Sequence, residues 1–189
     1  MLRDLRRSIW NAIMSEELLQ IVDRDGNPVG TAPRSECHGN RNLIQAVVHL
    51  HLFDLSGRLY LQKRAATKDR YPGRWDSSVG GHVAPGETSD QAIRREAREE
   101  LGIDLSDPSE TAGLHRLEHL EPYIFSDEVE TEYVIPYRLV TPIPPEPNPE
   151  EVEAGAFWEL EDVRHRLRER PDQFTPHFQL AFEHLLRVE

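Results

Sequence analysis

The sequence predicts an α/β fold: an α/β/α sandwich in which helices pack around a mixed β-sheet. Three observations support this class. Apolar segments of strand length recur along the chain, one amphipathic helical segment interrupts them, and two further helical segments follow the last strand. The length of 189 residues suits one domain with its own hydrophobic core.

Residues 1–17 are predicted to form a helical extension, and residues 18–189 to form the domain. Leu2, Leu5, Ile9 and Ile13 recur at helical spacing. The apolar run is too short for a targeting signal, and no small-residue cleavage site follows it. We therefore expect a cytoplasmic protein.

The predicted strands are apolar or alternating segments separated by turn residues. They cover residues 18–23, 46–53, 58–63, 77–80, 113–118, 130–140 and 156–160. The five prolines in residues 141–150 predict an extended loop. Residues 161–168 and 176–187 are predicted to be helices.

One helix is defined more sharply than the others. Thr88 and Gln91 match a capping box at its start, and Gly102 matches a C-terminal stop. Ile93, Ala97 and Leu101 form the stripe that should face the core.

The composition restricts the class of partner. The formal net charge of −12 disfavours a nucleic-acid polymer or an anionic membrane, because both would be repelled. Cys37 is the only cysteine, so no intrachain disulfide can form. We expect a small-molecule partner, and the sequence leaves a monomer and a homodimer open.

Three glutamates form one acidic patch on the sharply defined helix. With Ile93 at zero, Glu96, Glu99 and Glu100 fall at about −60°, −120° and −20° around the axis. Glutamates on a helix usually form a solvated face, but Glu100 leans towards the core, and like charges at this spacing repel. A hard cation such as Mg²⁺ would explain the patch, and Glu87 adds a carboxylate near the helix start.

The segment around this helix resembles the Nudix box, G-x5-E-x7-R-E-U-x-E-E-x-G-U, where U is apolar. The fixed positions are all present: Gly81, Glu87, Arg95, Glu96, Glu99, Glu100 and Gly102. A chance match is on the order of one in a million. The resemblance implies a Nudix-type sandwich and a hydrolase that cleaves a diphosphate linkage, for example in a nucleoside diphosphate derivative.

The resemblance also implies roles for individual residues. Glu96, Glu99 and Glu100 would bind Mg²⁺ or Mn²⁺, and one glutamate would act as general base. Arg95 would orient the catalytic glutamates. Gly81 and Glu87 complete the metal-binding set predicted for this segment.

Residues from about 20 to 140 also resemble the isopentenyl diphosphate isomerases, a branch of the same family. In that branch, positions like His38, His82, Glu130 and Glu132 help to hold a metal, and basic residues like Arg64 and Lys68 hold the diphosphate. We accordingly expect Glu130 and Glu132 in the metal set, and the following residues at the substrate: Lys63, Arg64, Lys68 and His82.

Two departures from the isomerase pattern favour hydrolysis. Gly80 stands where the isomerases carry a catalytic cysteine, and Gln45 stands where they carry a metal-ligand histidine. The isomerases lack some of the glutamates of the acidic helix, whereas Glu96, Glu99 and Glu100 are all present here. An isomerase-like enzyme and a non-catalytic nucleotide-sensing module remain the alternatives. His49 and His51 share one strand face, either as a ligand pair or as hydrogen-bonded core histidines, and Cys37 is read as structural.

Overall fold

The computed structural model describes residues 16–105 and 116–187. These residues form a mixed sheet with helices, as the sequence predicts. The strands are β1 Leu18–Val22, β2 Pro28–Pro33, β3 Ile44–Phe53, β4 Leu59–Arg64, β5 Trp75–Asp76, β6 Val79–His82, β7 Arg116–His119, β8 Tyr123–Ser126, β9 Thr131–Val140 and β10 Val152–Trp158. The helices are α1 Arg34–Cys37, α2 Ser89–Leu101, α3 Leu160–Glu169 and α4 Pro176–Leu185, with a 3-10 turn at Pro171–Gln173.

Strand β3 is the centre of the sheet. It pairs along its whole length with β9 in parallel, and antiparallel with β6. By contrast, β3 and β4 pair only at Phe53 and Leu59. Beyond that pair the two strands take different neighbours, β6 beside β3 and β5 beside β4. The site lies where these two parts of the sheet separate.

The alternating side chains of β3 supply two hydrophobic cores. Val48 and Leu50 pack in one cluster with Ile93 and Leu101 of α2. On the other face, Phe53 belongs to a second cluster that includes residues of α3 and α4. Helices therefore cover both faces of the sheet, which confirms the predicted α/β class.

Helix α2 has the ends that the sequence predicts. The Thr88 hydroxyl accepts a hydrogen bond from the Gln91 backbone N–H at 3.2 Å, and the Gln91 side-chain oxygen accepts one from the Thr88 N–H at 2.9 Å. Gly102 adopts a left-handed φ of 66°, which ends the helix at low steric cost.

Several element predictions need correction. Strands β2, β5 and β8 were not predicted, because they are short and β2 contains two prolines and a glycine. Strand β10 begins at Val152, four residues before the predicted start, because it pairs with β4 at the sheet edge. The predicted extension lies outside the described residues except for Glu16 and Glu17, and so do residues 113–115 of a predicted strand. None of the described helices is long and apolar enough to cross a membrane.

Candidate active site

A cavity of about 490 Å³ opens between α2, the divided part of the sheet and α4. Its wall on the α2 side carries Glu96, Glu99 and Glu100. The wall on the α4 side carries Glu130, Glu132, His177 and His49, and the basic residues Arg34, Arg64, Lys68 and Arg70 also line the cavity. Acidic and basic groups therefore face one cavity, an arrangement that suits a metal–diphosphate complex.

Glu100 is the most deeply buried acid of α2. Its side chain is 8% exposed, and the Gln62 amide donates to its Oε2 at 3.0 Å. Burial, reinforced by the charge of Glu96, raises the pKa of Glu100 to about 8. Burial also raises the pKa of Glu96. The nearby cations do not fully neutralise these two buried carboxylates. A divalent cation bound between them would supply the missing positive charge.

Arg95 connects the carboxylates of this wall. Its Nη1 donates to Glu96 at 2.6 Å and lies 3.3 Å from Glu99, while Nη2 donates to the His82 carbonyl at 3.0 Å. Its Nε and Nη2 both reach Glu87 at 3.0 Å. These hydrogen bonds restrict the positions of the Glu96 and Glu99 side chains.

Glu87 supports this network from outside the cavity. Its Oε2 accepts from the Ala84 backbone N–H at 3.0 Å in addition to Arg95, so both of its oxygens have donors. It is not among the residues lining the cavity. These contacts suit a residue that holds Arg95 in position. They suit a direct metal ligand less well.

Gly81 lies directly beneath Glu96. A Cβ at this position would overlap Cδ and Oε1 of Glu96, so only glycine lets the carboxylate pack against β6. The backbone of Gly81 therefore lies next to the predicted metal ligands.

The basic residues are held by acidic partners. Arg64 Nη1 lies 3.4 Å from Asp76, and Lys68 forms an ion pair with Glu151. Lys63 does not reach the cavity, contrary to expectation. Side chains alternate along β4, so Lys63 points away from the face of Arg64 and pairs with Glu153 at 2.6 Å.

The two histidines suggested by the isomerase pattern both line the cavity. His82 Nδ1 lies 3.5 Å from Glu17, and His38 Nε2 lies 3.4 Å from Glu130. The hydrogen bond from His82 lowers the pKa of Glu17 to about 2.

Glu130 and Glu132 do not form a solvated strand face. They are 4% and 6% exposed. His177 Nε2 lies 3.3 Å from Glu132 and 3.6 Å from Glu130, and one ligand atom from each of the three residues falls within 4.8 Å of the others. Although burial opposes both shifts, their attraction raises the pKa of His177 and lowers that of Glu132.

Glu130 has further partners. Arg70 forms an ion pair with it, and the Gln45 amide donates to it at 2.9 Å. Sequence reasoning missed His177 and Arg70 as site residues. Neither belongs to a motif, and only the docking of α4 and of the loop after β4 brings them to β9.

His49 and His51 are both buried, with Nδ1 of each lacking a hydrogen-bond partner among the described residues. The interpretation as hydrogen-bonded core histidines therefore does not hold at these atoms. His49 lines the cavity, whereas His51 does not. Cys37 is buried against Leu19 and Ile21 and is likewise absent from the cavity wall.

Comparison with known proteins agrees with this geometry. The family model described as NUDIX domain matches residues 43–178. The isopentenyl-diphosphate Delta-isomerase of Agromyces mediolanus is 36% identical over 162 residues, covering 86% of this chain and 77% of that protein. A second isopentenyl-diphosphate Delta-isomerase, from Streptomyces griseus, is 35% identical over 154 residues, covering 82% of this chain and 77% of that protein.

The crystal structure of DR0079 from Deinococcus radiodurans superimposes with a TM-score of 0.66 at 28% identity, covering 80% of this chain and 89% of that one. The family model, the fold and the position of the α2 carboxylates all agree. The chain therefore belongs to the Nudix family, and it has relatives that are named isopentenyl-diphosphate isomerases.

Proposed function

We propose that the protein is a Nudix hydrolase that uses Mg²⁺ or Mn²⁺ to cleave a diphosphate linkage in a small molecule such as a nucleoside diphosphate derivative. The observation that carries the proposal is the convergence of Glu96, Glu99 and Glu100 on a cavity that also holds Arg64 and Lys68. Carboxylates can hold the metal, and the two basic residues can hold the phosphates.

The residues present fit a divalent cation. Glu100 is buried beside Glu96 with a raised pKa, so a cation bound next to it would stabilise its ionised form. Gly81 leaves room for the Glu96 carboxylate at the strand. Glu96, Glu99 and Glu100, with the Gly81 backbone, would hold the metal, which when bound withdraws charge from the phosphoryl group and favours attack by water.

The chain's own side chains perform the remaining steps. Arg95 keeps Glu96 and Glu99 in position through its hydrogen bonds. One of these two glutamates accepts the proton of the attacking water. Arg64 and Lys68 neutralise the phosphate charge, and His82 lines the same space for substrate contact. Glu130 and Glu132, with His177, are proposed as a further set of metal ligands.

Isomerisation is the second candidate, because the relatives compared above carry that name. The isomerase chemistry implied by the resemblance needs a thiol where this chain has Gly80. The single cysteine of the sequence, Cys37, is buried outside the cavity. Hydrolysis needs no thiol, so the residues that line the cavity favour hydrolysis over isomerisation.

The test is a screen of diphosphates with Mg²⁺ or Mn²⁺, with both hydrolysis and isomer products measured. We expect metal-dependent hydrolysis and no dimethylallyl product from isopentenyl diphosphate above a no-enzyme control. Glu96→Gln and Glu100→Gln should each lower kcat at least about a hundredfold. Glu183→Gln, on the exposed face of α4, is the matched control. Near-normal turnover by both site variants, or steady isomer formation, would contradict the proposal.

A further inference from the structure

One buried carboxylate of the cavity has no role in the hydrolysis proposed above. Asp76, at the end of β5, is buried and contributes to the cavity wall. Its two oxygens have different partners. Oδ1 accepts from the Ser77 backbone N–H at 2.8 Å and from the Thr175 hydroxyl at 2.9 Å. Oδ2 lies 3.4 Å from Nη1 of Arg64. The carboxylate therefore joins β5 to β4 on one side and to the start of α4 on the other.

The guanidinium of Arg64 is held at two points. Its Nε donates to the Arg70 carbonyl at 3.0 Å, and its Nη1 contacts Asp76. A guanidinium is planar, so fixing two of its nitrogens fixes the plane of the whole group. Arg64 lines the cavity and is only partly buried. Asp76 therefore helps to set how Arg64 presents its other N–H groups to the cavity.

Thr175 connects this carboxylate to α4. It is fully buried and caps the helix, since its hydroxyl oxygen accepts from the Phe178 backbone N–H at 3.0 Å. Its own N–H donates to the Trp75 carbonyl at 2.9 Å. With the hydroxyl oxygen accepting from the helix, the hydroxyl proton is the part that bonds to Asp76. The docking of α4 therefore fixes a donor to Asp76.

We propose that Asp76 is a positioning residue that orients Arg64 towards the diphosphate, and that Thr175 holds Asp76 in place. The docking of α4 then sets a phosphate contact on β4 as well as the position of its own residues. This inference rests on the proposed function, in which Arg64 binds phosphate.

The two-sided contact requires a carboxylate and not an amide. A carboxylate has two acceptor oxygens, whereas asparagine has one oxygen and one NH₂ donor. If the oxygen of an amide stayed on Ser77 and Thr175, the NH₂ group would face Arg64, and two donors would meet. Asp76→Asn therefore preserves the size of the side chain but loses one of its two sides.

The sign of the effect separates positioning from simple charge. A negative charge near the phosphates repels them, so removing it strengthens diphosphate binding if charge alone matters. If Asp76 instead orients Arg64, the same substitution weakens binding, because the guanidinium is no longer held in its plane. The two explanations predict opposite changes in Kd.

The first experiment measures the binding of methylenediphosphonate with Mg²⁺ by isothermal titration calorimetry. This probe has the shape of a diphosphate, and its P–C–P linkage cannot be hydrolysed. We expect Asp76→Asn and Arg64→Gln each to raise Kd at least about tenfold. The double variant should bind no more than about twofold more weakly than the weaker single variant, because both act through one contact.

Asp54→Asn is the matched control, since Asp54 pairs with Arg58 at 2.6 Å away from the cavity. It should leave Kd at the parental value. Parental or tighter binding in Asp76→Asn, additive losses in the double variant, or no binding of the probe by the parent would each overturn the proposal.

The Thr175 side of the link has its own test, which also decides the case if Asp76→Asn does not fold. Thr175→Val keeps the shape but removes the hydroxyl, and it should raise Kd at least about threefold. Thr175→Ser should restore the parental Kd. Thr141→Val is the control, because Thr141 is buried and its hydroxyl accepts from the Ile143 N–H at 3.0 Å without lining the cavity. A Thr175→Val protein with a lower Tm but a parental Kd would overturn the link.

Kinetics separate the link from the hydrolytic mechanism. On the best substrate of the screen, Asp76→Asn should raise KM at least about tenfold and keep kcat within about threefold, since Glu96 and Glu99 are unchanged. A lower kcat with parental KM would overturn the positioning of Arg64. If no diphosphate is hydrolysed while the Kd values follow the expected pattern, the hydrolysis fails and the link stands. Normal hydrolysis with unchanged Kd values would overturn the link alone.

Discussion

At the scale of single residues, the burial of Glu100 makes the stability of the folded chain depend on pH. Its ordinary pKa is 4.5, and burial raises this to about 8 in the folded chain. Between these values the folded state binds the proton and the unfolded state does not. The free energy of unfolding therefore falls as pH rises through this range when no metal is present.

We predict that Glu100→Gln removes this loss of folding stability at higher pH. In metal-free buffer, the variant should have a higher Tm than the parent at pH 8, by at least about 3 °C, and nearly the same Tm at pH 5. In the parent, Mg²⁺ should raise the Tm more at pH 8 than at pH 6, because it binds the ionised carboxylate. Differential scanning calorimetry measures both effects, with Glu183→Gln as control. An identical pH profile in parent and Glu100→Gln would refute the assignment.

At the scale of elements, the contact between α2 and β6 sets the position of Glu96. The helix is placed by its apolar stripe, including Ile93 and Leu101, which pack against the sheet. Strand β6 then presents Gly81, with no side chain, to the Glu96 carboxylate. The close approach of helix and strand therefore depends on one glycine.

We predict that Gly81→Ala displaces the Glu96 carboxylate while the fold persists, because the end of a glutamate side chain can move. The variant should lose at least about tenfold in kcat and should need more Mg²⁺ for half-maximal activity. Gly30→Ala is the matched control, because a Cβ there would meet nothing within 4 Å. Equal kinetics in the two variants would show that the packing of Gly81 does not set the site.

At the scale of the whole molecule, α4 docks against the sheet and brings His177 to β9. Phe178 and Phe182 of this helix are buried in the cluster that also contains Phe53. This packing holds His177 3.3 Å from Glu132, a residue 45 positions earlier in the chain. The cluster of Glu130, Glu132 and His177 therefore forms only when the C-terminal helix is docked.

We predict that Glu132→Gln and His177→Gln both weaken activation by Mn²⁺, raising the concentration for half-maximal activity at least about tenfold. Each variant should also lower the Tm, since it leaves one side of a buried ion pair without its partner. Mn²⁺ titrations of activity and thermal melts measure the two effects. Glu153→Gln, which removes a surface partner of Lys63, is the control. Unchanged Mn²⁺ dependence in both site variants would reduce the pair to a structural role.

Glu130→Gln is a less suitable test of the same cluster. It would leave Arg70 with one of its two acidic partners, because this arginine pairs with both Glu130 and Asp127. A loss of activity could then follow from a displaced arginine as well as from a lost metal ligand.

The sequence by itself determined α2, its acidic patch and the Nudix class. Capping, helical periodicity and motif spacing are local properties, readable from residues close together in the chain, such as Thr88, Glu96 and Gly102. It also indicated that Glu100 leans towards the core, which its burial confirms. Only the tertiary structure decided that Lys63 points away from the cavity and that His177 and Arg70 line it. It also placed Gly80 opposite the buried His49. These positions depend on strand register and on the docking of α4, which bring together segments far apart in sequence, and no local pattern records that proximity.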